Sequence, residues 1–260
     1  MSSIPSTEVI KTIIGGPSDF GAGWIIILIS SFITIALAVV GLYKWGYEKI
    51  NERRKFLQKT LLLVIGTNIE NFKVVLGSPV FINKIGEYDE FIFTNKYFYT
   101  QALVDPRGKI ALYSITIKDE DFNPVLHIGG SSLSVTLGKT KFSDLVEHEP
   151  IKTYKRGGDH GGFDFYTEIH FFGRPGHYLE YGFSVNENGC GTFDYIPRSF
   201  LDDTPDNPTE LATFRSKTYI NTYTVIGHIT LEEIETEKIE FGPKHSQIWH
   251  LNEWRTAIYN

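Results

Sequence analysis

The residues best suited to chemistry lie between positions 157 and 177. Gly157-Gly158-Asp159-His160-Gly161-Gly162 sets one carboxylate and one imidazole among four glycines, and Asp164, Glu168, His170 and His177 follow. Glycine lets a backbone approach a ligand closely, and imidazoles with carboxylates can hold a divalent metal or share acid–base work. Asp159, His160, Glu168, His170 and His177 are therefore the candidate ligand-binding residues. Their spacing is not that of a preformed metal centre, so no metal site is assigned. On a strand from Phe163 to Phe172, Asp164, Glu168 and His170 share one face, and Phe163, Phe165, Thr167, Ile169 and Phe171 share the other. That alternation predicts a half-buried strand, with the polar trio towards solvent and the apolar set towards the core.

Other chemistry is not encoded in recognisable form. The sequence holds no GxxxxGK[ST], GxGxxG, HExxH or GxSxG motif and no EF-hand loop. Cys190, the only cysteine, sits between Gly189 and Gly191 without a local base signature, which excludes a disulfide framework and a cysteine zinc site. Asp119-Glu120-Asp121, and Asp202-Asp203 with Asp206, lack a calcium ligand ladder and read as solvated loops, the second as a linker. No catalytic residue and no cofactor are expected.

The elements that would position these residues begin with an anchor. Trp24 to Tyr43 is a run of 20 residues without a charge, the length that crosses about 30 Å of hydrocarbon. Trp24 at one end and Tyr43 with Trp45 at the other stand where interfacial aromatics belong. A secretory signal would need a basic stretch before the run and a small-residue cleavage site after it, and here only Lys11 precedes the run. Lys44, Lys49, Arg53, Arg54, Lys55 and Lys59 form a basic collar after it, suited to lipid headgroups. The positive-inside rule then predicts an inner-membrane protein with its N-terminus outside and its C-terminal part in the cytoplasm. Ser30, Thr34 and Ala38 make a small-residue stripe for helix self-association. Mean hydropathy of −0.13 excludes a polytopic transporter.

The rest of the chain reverses the charge. Setting aside Lys11 and the collar leaves 18 of 25 basic residues, and setting aside Glu8, Asp19, Glu48 and Glu52 leaves 27 of 31 acidic ones. A part near −9 is repelled by nucleic acid, so none is expected as a partner. Residues 1–23 are read as a short outer segment with a helical turn or two over Val9–Ile14, 24–43 as the span and 44–64 as a basic helix. Residues 65–130 are read as a first α+β module and 131–260 as a second, β-rich one. Thr67 with Glu70 makes a capping box that predicts a helix from Asn68 to Leu76, ended by Gly77 and Pro79. Aromatic and β-branched runs at 90–95 and 97–104, turn residues Asp105-Pro106-Arg107-Gly108 and a run at 109–118 predict strands with a hairpin. An apolar–Gly step, a short helix and a hairpin recur from Leu137-Gly138 through Phe163–Phe172 and His177–Asn186. They recur in part at Val225-Ile226-Gly227, with Thr230 and Glu233 as a second capping box. The fold class is thus α+β, one transmembrane helix before a mostly antiparallel β-rich domain, either one module or a tandem pair. At its end, Trp249, Leu251 and Trp254 are read as sealing the core, with a partner-facing anchor as the alternative.

Gly66, Thr67, Leu76, Gly77, Pro79, Asp105 and Gly108 carry a resemblance, over residues 64–118, to the small outer-membrane lipoprotein A (BamE-like) family. The resemblance implies a binding-module fold. Its envelope-assembly role does not transfer, because a lipidated cysteine near the start is missing. The whole chain resembles uncharacterised bacterial single-span membrane proteins, which implies a place in phage-defence gene sets. The expected function is non-enzymatic: membrane-anchored sensing or docking, with the bilayer, a second copy or another protein as partners. The alternative is a membrane-tethered, metal-assisted hydrolase using Asp159, His160, Glu168, His170 and His177.

Overall fold

A computed structural model describes residues 17–128, 133–145, 150–157, 163–174, 177–191, 207–244 and 247–248. The expected outer helical turn, Asp159, His160, the acidic run at 202–206, Trp249 and Trp254 lie outside the described residues. The chain divides into two compact units, Met1–Lys55 and Phe56–Asn260.

In the first unit one helix, α1 (Pro17–Leu61, 45 residues), carries the apolar run and continues through the basic collar. From Ile29 to Leu61 it is long and apolar enough to cross a membrane by length and composition, with an 18-residue window of hydropathy 1.5 in which nothing is buried. The hydroxyls of the small-residue stripe are satisfied inside the helix. Ser30 Oγ donates to Ile27 O at 2.9 Å and Thr34 Oγ1 to Ser30 O at 2.8 Å, so neither needs an external acceptor in an apolar setting. Ala38 is exposed on the same helix.

In the second unit, Phe56, in the last turns of α1, meets Tyr97 and Phe98 edge-on, and buried Leu63 joins the same apolar cluster. Helix α2 (Ile69–Leu76) follows, with Phe72 packed on Tyr113. Its cap is Asn68, whose side chain accepts from Glu70 N at 3.1 Å, while Thr67 Oγ1 turns back to Val64 O. The expected Thr67–Glu70 box is thus displaced by one residue, because asparagine caps at least as well as threonine. Gly77 closes the helix at φ +94, a conformation that favours glycine.

The sheet is eight-stranded, antiparallel at every pairing, with order β1-β2-β3-β4-β10-β9-β8-β7. The strands are β1 (Phe81–Ile85), β2 (Tyr88–Thr94), β3 (Phe98–Val104), β4 (Ile110–Ile117), β7 (Lys152–Gly157), β8 (Phe163–Arg174), β9 (His177–Asn186) and β10 (Thr222–Ile226). A separate ribbon pairs β5 (Val125–His127) with β6 (Ser134–Thr136). Asp105 builds the β3–β4 turn as expected, its Oδ1 accepting from Arg107 N and Lys109 N, with Gly108 at φ +76. The two stretches divided between modules by sequence share this one sheet, and the strand order is symmetric about the β4–β10 seam. Local wiring repeats on both sides of it. Gly66 N donates to Ile110 O and Ile110 N to Thr67 O; Gly138 N donates to Ile220 O and Ile220 N to Thr140 O. The two glycines share φ values of +75 and +77.

Both faces of the sheet are covered, so every residue of β3, β4 and β10 is buried. One face carries Tyr113, Ile115, Phe183 and Tyr223 in a large aromatic cluster with Phe72, Phe142 and Phe214. Phe142 lies in a 3-10 turn (Phe142–Leu145), and Phe214 in α3 (Pro208–Lys217). Helix α3 follows the acidic run that sequence reads as a linker, which itself lies outside the described residues. Asn207 caps it and Pro208 occupies its first turn. The opposite face carries Leu103, Leu112, Ile169 and Ile226, packed by Ile229, Ile234, Ile239 and Phe241. Ile234 belongs to α4 (Leu231–Thr236), whose start is the Thr230–Glu233 capping box that sequence predicts.

Candidate functional site

Strand β8 carries two of the sequence-predicted candidates, Glu168 and His170, and the structure reverses their expected setting. Glu168 and His170 are 0 % and 1 % exposed, whereas Phe171, placed in the core by alternation, is 51 % exposed. The alternation itself holds. What fails is the assumption that one face is wet, because α3 and the 3-10 turn cover the face carrying Tyr166, Glu168, His170 and Phe172.

Burial of a carboxylate requires partners, and Glu168 has three side chains around it. Arg215 of α3 spans both oxygens, with Nε 2.7 Å from Oε1 and Nη2 donating to Oε2 at 3.2 Å. Tyr166 Oη donates to Oε1 at 2.7 Å, and His170 Nε2 lies 3.3 Å from Oε2. The network assigns the His170 proton to Nε2. His170 Nδ1 is buried and has no hydrogen-bond partner among the described residues, the ring lying against Phe172 and Phe183. Arg215 Nη2 also reaches Phe142 O at 3.2 Å. Two oxygens thus meet a guanidinium, a phenol and an imidazole, and no carboxylate edge is left open for general-base work. The cluster clamps α3 and the 3-10 turn to the sheet.

His177 is not brought to it. Its backbone pairs with Arg174, four residues along β8 from His170, about 13 Å at strand rise. Among the described residues no group of three or more His, Cys, Asp or Glu is placed to hold a metal ion.

A second buried polar set was missed by sequence reasoning. Glu90 of β2, fully buried, accepts from Gln101 Nε2 at 2.7 Å and from Gln247 Nε2 at 2.6 Å. Beside it run cross-strand hydroxyl pairs: Ser114 with Thr224 at 2.9 Å, Thr222 with Thr116 at 2.9 Å and Thr167 with Ser184 at 2.7 Å. The available signal was the repeated Ser/Thr at alternate positions of β4 and β10, readable only once pairing is known. Two clefts flank this face. One, of about 470 Å³, is lined by Tyr154, Phe165, Ile234, Lys238 and Ile239. The other, of about 430 Å³, is lined by Phe171, Leu179, Glu180, Ile226 and Ile229. Burial pushes the Glu180 carboxyl up. Cys190 is half-buried, its thiol pushed up to about 11 by burial and by Glu120. That makes it a poor nucleophile near neutrality.

No family model matches the chain, and no curated protein matches its sequence. Among solved structures, a cysteine-rich secretory protein from Staphylococcus aureus subsp. aureus Mu50 is similar at 9% identity with a TM-score of 0.27. That match covers 65% of this chain, which spans 44% of the other protein's length.

Proposed function

We propose that the chain is a non-enzymatic, membrane-anchored docking protein. Helix α1 spans the inner membrane with its N-terminus outside, and the sheet domain lies in the cytoplasm, where it binds a protein or small ligand. The observation that carries this reading is the wholly exposed apolar stretch of α1, joined in one helix to the collar of Lys44, Lys49, Arg53, Arg54, Lys55 and Lys59. A soluble protein would bury such a stretch. The Glu168 carboxylate, engaged by Arg215, Tyr166 and His170, supports a binding module over a hydrolase, since these groups bind each other. The stripe of Ser30, Thr34 and Ala38 supplies a smooth helix face for a second copy.

The test is fractionation of the full chain against an Ile33→Lys/Leu37→Lys variant. The unsubstituted chain is expected to resist alkaline extraction and to require detergent, and the variant to be extracted. Release of the unsubstituted chain by alkaline wash would refute the anchor. Labelling of Cys190 by a membrane-impermeant maleimide in intact spheroplasts, without permeabilisation, would refute the orientation.

A further inference from the structure

The polar face of the sheet is covered by residues 239–244 and 247–248 in an unusual manner. Apolar anchors are few: Ile239, Ile248 and Phe241, the last against Tyr154 with ring centroids 5.9 Å apart. Most remaining contacts read the strap's main chain. Asn186 Nδ2 donates to Phe241 O and to Pro243 O, each at 3.2 Å, and Asn188 Nδ2 donates to Pro243 O at 2.9 Å. Gly242 N donates to Gln101 Oε1 at 2.8 Å, and Gln247 Nε2 caps Glu90. Gly242 is sterically required: its φ is +97, and a Cβ there would sit 2.7 Å from Thr116 Oγ1 and 2.9 Å from Asn186 Nδ2.

The surface beneath is equally telling. Gln101 and Thr116 lie against Gly242, and Ser114, Thr167, Ser184, Thr222 and Thr224 share their face of the sheet; all are at most 1 % exposed, yet their hydroxyls and amides are groups that water can satisfy. A permanent seal is built from apolar side chains. A platform of paired hydroxyls costs little to uncover and does not aggregate when bare. Side-chain amides aimed at another segment's carbonyls are how a groove holds an extended peptide whatever its side chains.

We propose that this face is a peptide-docking groove, held in the resting chain by its own strap (239–244 with 247–248), and that its partner is a segment with the aromatic–Gly–Pro order of Phe241-Gly242-Pro243. The inference rests on the docking reading above and names the surface on which docking occurs. The partner displaces the strap, taking over the Asn186, Asn188 and Gln101 contacts. Lys238, at φ +51 just before the strap, is where the chain turns onto the groove.

The test uses the full-length chain in detergent with Ser114→Cys as a reporter beneath the strap and a specific protease site inserted after Glu237. Cys190 serves as the internal marker of global unfolding. Before cleavage, Ser114→Cys reacts with maleimide roughly a hundredfold more slowly than a free thiol, as a buried position that opens only locally should. After cleavage and dilution it reacts freely while Cys190 keeps its slow rate. A synthetic peptide of residues 238–248 then restores protection, and the same peptide with Gly242→Val does not. Three results would overturn the proposal: continued protection after cleavage and dilution, unfolding with Cys190 exposed, or equal protection by both peptides. Because the probe is a piece of this chain, these outcomes are independent of the fractionation test of the anchor.

Discussion

Replacing Arg215 with methionine isolates what holds α3 to the sheet. Methionine keeps most of the apolar stem and removes the guanidinium, so Glu168 stays 1 % exposed in its side chain with only Tyr166 and His170 beside it. Stranding a buried carboxylate in this way costs about 3–5 kcal/mol, and the lost hydrogen bond to Phe142 O adds roughly 1 kcal/mol. A domain of this size shifts by about 2–4 °C per kcal/mol, so the melting midpoint should fall by roughly 10 °C or more. The assay is thermal unfolding of the detergent-solubilised chain, followed by near-ultraviolet circular dichroism. The decisive comparison is Glu168→Gln/Arg215→Met, in which the stranded charge is also removed. It should recover most of the loss, to within about 1–2 kcal/mol of the unsubstituted chain. If Arg215→Met costs under about 1 kcal/mol, or the double variant is no better than the single, then Glu168 is not the buried, Arg-dependent carboxylate described here.

Other predictions address separate features. Maleimide labelling of Cys190 should keep accelerating with pH to about 11, and a plateau near pH 9 would contradict its burial. The Glu233 carboxyl is held low by the Thr230 backbone and side chain and by Tyr88. Its contribution to stability is therefore complete above the ordinary glutamate range and is lost as pH falls through its lowered value. Glu233→Gln should therefore lower stability in the neutral region and leave the acid end nearly unchanged, which flattens the acid limb of the stability–pH curve. Thr230→Ala, which removes the side-chain half of that cap, should cost about 1 kcal/mol in urea melts. Gly66→Ala and Gly138→Ala both force alanine to positive φ, at about 1 kcal/mol each. Gly138→Ala should be the worse, since its Cβ would also meet Asn123 Nδ2 at 2.9 Å and Ile117 Cδ1 at 3.0 Å.

Where local chemistry decides the structure, sequence was legible. Asp105 and Gly108 dictate a turn whatever surrounds them, and the Thr230–Glu233 box is complete within four residues. Asn68 against Thr67 shows the limit of that rule, since two adjacent residues could each cap α2 and geometry chose one. The fate of Glu168 and His170 was not legible. Period-two alternation separates two faces but does not say which is wet, and here the answer came from Arg215, 47 residues away. Strand β7 escaped notice because Lys152–Gly157 is basic and lies at a sheet edge, where pairing with β8 supplies what intrinsic propensity lacks. The His160–His170–His177 grouping rested on nearness along the chain. A hairpin keeps such nearness only between residues that pair, and His170 pairs with Tyr181.

The symmetric strand order also governs how the domain assembles in time. Strands β1 to β4 are joined by short hairpins, so that half closes by local steps with little loop entropy to overcome. The β4–β10 seam is different: it pairs Ser114 with Thr224, 110 residues apart. Nothing local recruits β10 to β4, and the apolar pairs Ile115–Tyr223, Tyr113–Val225 and Leu112–Ile226 reward the seam only after that long loop has been closed. Nucleation therefore belongs to the meanders and closure of the seam is the late event, with substitutions at Ser114 or Thr224 changing the unfolding rate more than the folding rate. Until that closure, β4 is the open edge of a half-built sheet, and during synthesis it waits on the chain for more than a hundred further residues to emerge.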